Sequence, residues 1–333
     1  VSIDGGESGW RVGLLGDGRG SRFLIERFAD GGPFRVVAAM ESLLTEREAA
    51  RFAIRRERSA REIIRRSDLD LLWATNAIDP ESEQTFREGF EHGKHLVCQR
   101  SGTLSPETFD RIAADSQRHG RVFLIARPHG RDPDFQQALQ FARNCQCDPL
   151  RAAKFIAWTY ALPPPGASVC PSAATLRSDD PSTAITGNLM SDRLHQLLRL
   201  VPATPVEVLA DTDAASLDAG HSLLLHIRFS NGCRGEIDLR LDSPMVFQSG
   251  WMLTSTRSGY HNGQQFTLTA DGELFSTEAA SPVTSEEIEP FESLARQLRA
   301  GQTSPDQLQI ERNTLIILAA ARRSLASRQP VWL

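Results

Sequence analysis

Five short apolar runs recur along the first third of the chain, each followed by a stretch with helical spacing. They are "RVGLL" from Arg11, "FRVVAAM" from Phe34, "DLDLLWAT" from Asp68, "HLVCQ" from His95 and "RVFLIA" from Arg121. Runs with so little polar alternation belong to strands buried on both faces, which requires helices on both sides of a parallel sheet. The repeat, roughly 25–30 residues of strand and helix, predicts an α/β fold with a doubly wound parallel sheet. Local signals agree with it. "PESEQTFREGFEHGK" is a helix closed by Gly93, and "SPETFDRIAADSQRHG" opens on a Ser-Pro-Glu start signal.

The turn after the first run is more specific. Gly16-x-Gly18-x-x-Ser21 lies between an apolar run and the helical stretch "FLIERFAD". In that setting the first glycine permits a tight turn and the second lets backbone approach a pyrophosphate. The small third residue lets helix pack on strand, with phosphate at the helix N-terminus. The second run ends in Glu41, 25 residues after Gly16. An acid there accepts hydrogen bonds from a ribose diol and repels a 2′-phosphate, so NAD is favoured over NADP. A similar loop that holds no ligand is the competing reading.

Other classes are disfavoured. A net charge of −5 argues against a general nucleic-acid binder. The segment Thr45–Ser67 carries eight arginines and four glutamates, with a broken apolar stripe through Ala49, Phe52, Ala53, Ala60, Ile63 and Ile64. It is expected to be helical with a solvated, ion-paired outer face; nucleic-acid binding is the alternative. The five cysteines (98, 145, 147, 170 and 233) are too scattered for a disulfide framework, and Cys145-x-Cys147 has no second pair to complete a metal site. Reduced thiols, no long apolar span and no leader pattern make a cytoplasmic, membrane-free protein without a metal the expectation.

From about Pro133 the pattern changes. "FQQALQFARNC" reads as helix, "RAAKFIAWTYAL" as strand, and 163–183 as a Pro/Ser-rich loop. A helix from Gly187 to Val201 precedes more strands, with Asn231-Gly232 and Asp271-Gly272 as hairpin turns. Helices over about 286–300 and 305–327 end the chain. The expected division is a dinucleotide-binding Rossmann domain over 1–132, and an α+β domain over 133–333 with an open, mainly antiparallel sheet.

Ala74-Thr75, "EHGKHLVCQRS", "SPETFDRIA", "RDPDFQQAL", "RFSNG" and the terminal "AAARRSLASRQPVWL" occur in an order that resembles the glucose–fructose oxidoreductase/inositol dehydrogenase (Gfo/Idh/MocA) family. The resemblance spans essentially the whole chain. It implies an NAD(P)-dependent oxidoreductase acting on a CH–OH group of a polyol, sugar or sugar acid. It also implies that Thr75 joins the cofactor site, that substrate lies between the domains and that the second sheet makes homo-oligomer contacts.

The chain departs from the family at the catalytic positions. The family's Glu-Lys-Pro becomes Gln99-Arg100-Ser101. Counted from Gly187 along the family's D-x-G-x-H-x-x-D helix, the histidine falls on His195, the aspartate on Ser191, the glycine on Arg193 and the last aspartate on Leu198. Asp192 comes one residue late, roughly 100° around a helix. Arg100, with a pKa of about 12.5 or more, cannot cycle protons but can clamp a carboxylate, phosphate or hydroxyl. His195 can give and take a proton near neutrality. The candidate catalytic set is therefore His195, Arg100 and Asp192, and the cofactor set Gly16, Gly18, Ser21, Glu41 and Thr75. His129, Arg131 and Arg127 are further polar candidates; nothing in the sequence puts Tyr160 or Tyr260 at a site. Two other readings stay open. One is a catalytically degenerate relative that binds a nucleotide or sugar as a sensor or assembly partner. The other is an NAD-dependent non-redox enzyme such as a glycosidase.

Overall fold

The structure is a computed structural model that describes residues 9–16, 19–29, 31–75, 80–99, 104–127, 132–145, 148–158, 190–212, 222–240, 250–278 and 290–333. The chain divides into two compact units: Val1–Arg127 with Glu286–Arg312, and Pro128–Ser285 with Asn313–Leu333.

The first unit is built on six strands: β1 (Trp10–Leu15), β2 (Phe34–Met40), β3 (Arg55–Glu57), β4 (Leu71–Ala74), β5 (His95–Cys98) and β6 (Phe123–Ile125). Their order is β3-β2-β1-β4-β5-β6 and every pairing is parallel. Helices α1 (Arg19–Ala29), α2 (Glu46–Phe52), α3 (Ala60–Ile64), α4 (Pro80–Glu91) and α5 (Pro106–Arg118) connect them. Every residue of β4 and β5 is buried, as their unbroken apolar runs require. The strand order reverses between β1 and β4, so a crevice opens at the carboxyl ends of these two strands. Helix α8 (Pro290–Arg299) joins the same core: Phe291 packs edge-on to Phe28 at 4.9 Å, and Leu294, Ala295 and Leu298 are buried with Trp10, Phe34 and Trp73.

The Arg-rich segment departs from the single helix its spacing suggests. Helix α2 starts in a reciprocal cap between Thr45 and Glu48 and stops at Ala53, which adopts a left-handed backbone. Arg55–Glu57 then pairs with the open edge of β2, and Ser59 caps α3. Backbone pairing to a free sheet edge satisfies donors and acceptors that the broken apolar stripe could not bury as one long helix. Its arginines meet carboxylates: Arg61 pairs with Glu88 at 3.1 Å, and Arg66 with Glu57 at 2.8 Å and Asp68 at 2.6 Å.

His95 on β5 is 3% exposed, and its Nδ1 accepts the Val122 amide at 3.0 Å. Burial, with Arg121 nearby, pushes its pKa down to about 4. The folded state therefore holds a neutral imidazole where the unfolded chain takes up a proton. The His95 contribution to stability is constant above about pH 6.5 and falls as pH drops from there toward 4, by about 3 kcal/mol in all. Urea unfolding at pH 7 and pH 4.5 should show that loss in the wild type and a smaller one in His95→Gln; equal losses would discount this histidine.

In the second unit, α6 (Pro133–Asn144) and α7 (Met190–Leu200) pack on a nine-stranded sheet. Its strands are β7 (Ala152–Trp158), β8 (Pro205–Thr212), β9 (Ser222–Phe229), β10 (Arg234–Arg240), β11 (Gly250–Thr254), β12 (Ser258–His261), β13 (Gln264–Leu268), β14 (Leu274–Glu278) and β15 (Val331–Trp332). They run in the order β14-β13-β12-β11-β7-β10-β9-β8-β15, antiparallel throughout except that β7 is parallel to β10. Gly232 takes φ 82° in the β9–β10 turn, the left-handed conformation that its Asn-Gly signal implied. In β9, Leu223, Leu225, Ile227 and Phe229 are buried while His226 and Arg228 are exposed, so one face of the sheet is packed. Helix α9 (Pro305–Ser327) leads to the last strand, and Ser324 Oγ accepts the Ala210 amide at 3.1 Å.

Candidate functional site

The crevice residues of the first unit come from four adjacent strand ends. Gly16 follows β1 directly and has φ 115°, a conformation that side chains other than glycine's resist. Ser21 lies on α1 and is fully buried; its hydroxyl bonds that of Thr75, just past β4, at 2.6 Å. The Thr75 amide in turn donates to the Leu15 carbonyl at 3.0 Å. This chain of bonds draws α1 against the β1–β4 reversal point, and the small Ser21 side chain is what permits the approach. On the other side, Glu41 follows β2. Its amide donates to the Glu57 carbonyl at 2.8 Å and its own carbonyl accepts from the Arg56 guanidinium at 3.2 Å. The backbone is thus held on both sides while the carboxylate is exposed. Gly18 and Arg100 lie outside the described residues, as do Ser101, His129, Arg131 and Tyr160.

Gln99, just beyond β5, is the first residue of the Gln99-Arg100-Ser101 tripeptide. Its amide donates to the Ala74 carbonyl at 2.8 Å, and its side-chain Oε1 is buried without a hydrogen-bond partner among the described residues. Its place immediately after a buried strand was the signal available in the sequence.

In the second unit, Asp192 and His195 both lie on α7, three residues apart and so neighbours on its surface. Both are buried, at 5% and 8% exposure, with Ser191 and Arg193 beside them. Arg193 lies 4.2 Å over the Phe155 ring, donates to Gln196 Oε1 at 2.8 Å and pairs with Asp132 at 3.3 Å. Gln196 Oε1 also accepts the Trp251 indole N–H at 3.3 Å.

A second buried centre adjoins it. Asp134 Oδ2 accepts the Trp251 amide at 2.7 Å and Oδ1 the Tyr260 hydroxyl at 2.6 Å. Burial raises the Asp134 carboxyl pKa, and burial beside that carboxylate raises the Tyr260 hydroxyl. These bonds tie the start of α6 to β11 and β12, a structural use for Tyr260 that the sequence did not disclose.

Arg127 is engaged within the first unit by Glu311. Among the described residues, no group of three or more His, Cys, Asp or Glu side chains is arranged to hold a metal ion, and no helix is long and apolar enough to cross a membrane.

Solved structures match this arrangement across nearly the whole chain. An NAD-binding protein from Listeria innocua superposes with a TM-score of 0.75 at 14% identity, covering 98% of this chain and 97% of that one. The chain shares that protein's fold. Levoglucosan dehydrogenase, in complex with NADH and levoglucosan, matches at TM-score 0.72 and 14% identity, covering 98% and 99% of the two chains. A myo-inositol 2-dehydrogenase from Lactobacillus plantarum matches at 0.72 and 12%, covering 98% and 100%. No family model and no curated protein matches the sequence.

Proposed function

We propose that this protein is an NAD-dependent oxidoreductase of the Gfo/Idh/MocA type, acting on a CH–OH group of a sugar-like or polyhydroxylated substrate. The observation that carries the reading is the alignment of Gly16, the Ser21–Thr75 bond and the exposed Glu41 at the strand-order reversal. These residues fit a dinucleotide. Gly16 with Gly18 lets the pyrophosphate approach backbone, Ser21 and Thr75 hold α1 close, and Glu41 accepts from a ribose diol and disfavours NADP. When bound, NAD supplies the hydride acceptor. The chain's own part is to take the hydroxyl proton, assigned to His195, with Asp192 beside it and Arg100 orienting a polyol, sugar or sugar acid. Solved structures of the same fold that act on levoglucosan and myo-inositol support that substrate class.

The half-exposed face of the second sheet suits a homo-oligomer contact. There Ile156, Met252 and Leu224 alternate with the linked set Lys154, Glu236 and His226. A cytoplasmic location belongs to the same proposal; among the described residues Cys98, Cys145 and Cys233 are free thiols.

Titration with NADH and NADPH, followed by cofactor fluorescence, tests the reading. Micromolar binding with a preference for NADH is expected, and Gly16→Val should weaken it at least tenfold without unfolding the protein, because valine resists φ 115°. A folded protein that bound neither would point instead to a fold retained for a sensor or assembly role.

A further inference from the structure

We infer that Gln99 reads the nicotinamide end of the dinucleotide, its side-chain amide pairing with the carboxamide. The inference rests on the NAD reading above and adds to it the residue that distinguishes a complete dinucleotide from its adenosine half. Three observations carry it.

First, Gln99 Oε1 is buried and has no hydrogen-bond partner among the described residues. Buried polar atoms in folded proteins are almost always paired, and an orphan at a crevice is a place where a ligand donor fits. Second, the backbone beneath it is fixed. The Gln99 amide is bonded to the Ala74 carbonyl at 2.8 Å, and the preceding Cys98 carbonyl accepts the Ala126 amide at 2.8 Å. The side chain therefore projects from a rigid strand end, where a contact costs little ordering.

Third, the position suits the ligand's length. Glu41, Gly16, Thr75 and Gln99 follow β2, β1, β4 and β5, which are neighbours in that order. Strands lie ~4.8 Å apart, so Glu41 and Gln99 are separated by about 14 Å across the sheet. A dinucleotide with its adenine-side ribose at Glu41 and its pyrophosphate at Gly16 carries its nicotinamide toward β5. A primary amide is the matching chemistry. It offers one N–H edge and one carbonyl edge, and so does Gln99, so the pair forms whichever way either amide is turned.

The test compares NADH with ADP-ribose, which keeps the adenosine, pyrophosphate and second ribose but lacks nicotinamide. In Gln99→Leu, NADH should bind about fivefold to tenfold more weakly, the worth of one hydrogen bond at a buried site. ADP-ribose, measured by calorimetry, should bind as it does to wild type. Gln99→Glu, which keeps an acceptor for the carboxamide N–H, should retain most NADH affinity. Unchanged NADH binding in Gln99→Leu, or an equal loss for both ligands, would overturn the assignment while leaving the NAD reading intact. Wild-type protein that bound neither ligand would remove that reading and the assignment with it.

Discussion

Glu311→Ala should lose about 3–5 kcal/mol of stability, enough to unfold a marginal domain, although nothing at the crevice is touched. Arg127 follows β6 and Glu311 lies on α9; their side chains are only 10% and 3% exposed. Two guanidinium nitrogens meet the two carboxylate oxygens, with Nε to Oε1 at 3.2 Å. Each charge has been taken out of water, and each offsets part of the other's desolvation. Removing the carboxylate takes this partner from a buried cation that cannot deprotonate. A double substitution, Arg127→Leu with Glu311→Leu, removes both charges and restores apolar volume, so it should recover most of the loss. Chemical denaturation of the three proteins decides the matter. An Ala variant within about 1 kcal/mol of wild type would mean that the Arg127 charge is compensated without Glu311, and the pair would then contribute no more than a surface one.

Arg127 also illustrates what the sequence could and could not disclose. Unbroken apolar runs such as Leu71–Ala74 can be satisfied only between two helical layers, so the parallel sheet was legible residue by residue. Gly16, Ser21 and Glu41 were equally legible, because a local motif fixes their place relative to the strands beside them. Arg127 was not: its partner lies 184 residues away on a helix whose face no local pattern selects. The same holds for Phe291, Leu294, Ala295 and Leu298. Their spacing marks an apolar helix face, but only the folded chain shows that it covers Phe28, Phe34 and Trp73. Between Thr45 and Ser67 the competition was between helical spacing and an open sheet edge. The edge won over Arg55–Glu57 because it lies beside β2 only once the sheet exists. Gln99 stands out in the sequence only by its place in the altered tripeptide; only the folded chain shows its Oε1 buried and unpaired among the described residues.

Arg193→Gly should be destabilised by about 3 kcal/mol or more, even though it installs the residue that the Gfo/Idh/MocA resemblance leads one to expect there. Arg193 lies in the interior of α7 at 4% exposure, with its guanidinium on the Phe155 ring and bonded to Gln196 and Asp132. Glycine in a helix interior alone costs about 1 kcal/mol. The lost stacking on Phe155 adds roughly another 1–2 kcal/mol for a desolvated cation, and the vacated volume beneath the helix adds more. Asp132, 29% exposed, can turn to water and contributes less. Arg193→Met keeps the packing and drops the charge, so it should recover more than half of the loss, whereas a purely electrostatic role would leave it as weak as glycine. Urea unfolding followed by near-ultraviolet circular dichroism reports on both, because Trp251 shares Gln196 with Arg193 and is itself fully buried. A glycine variant as stable as wild type would show that α7 closes over the gap. Such a collapse would turn or shift the helix that carries Asp192 and His195.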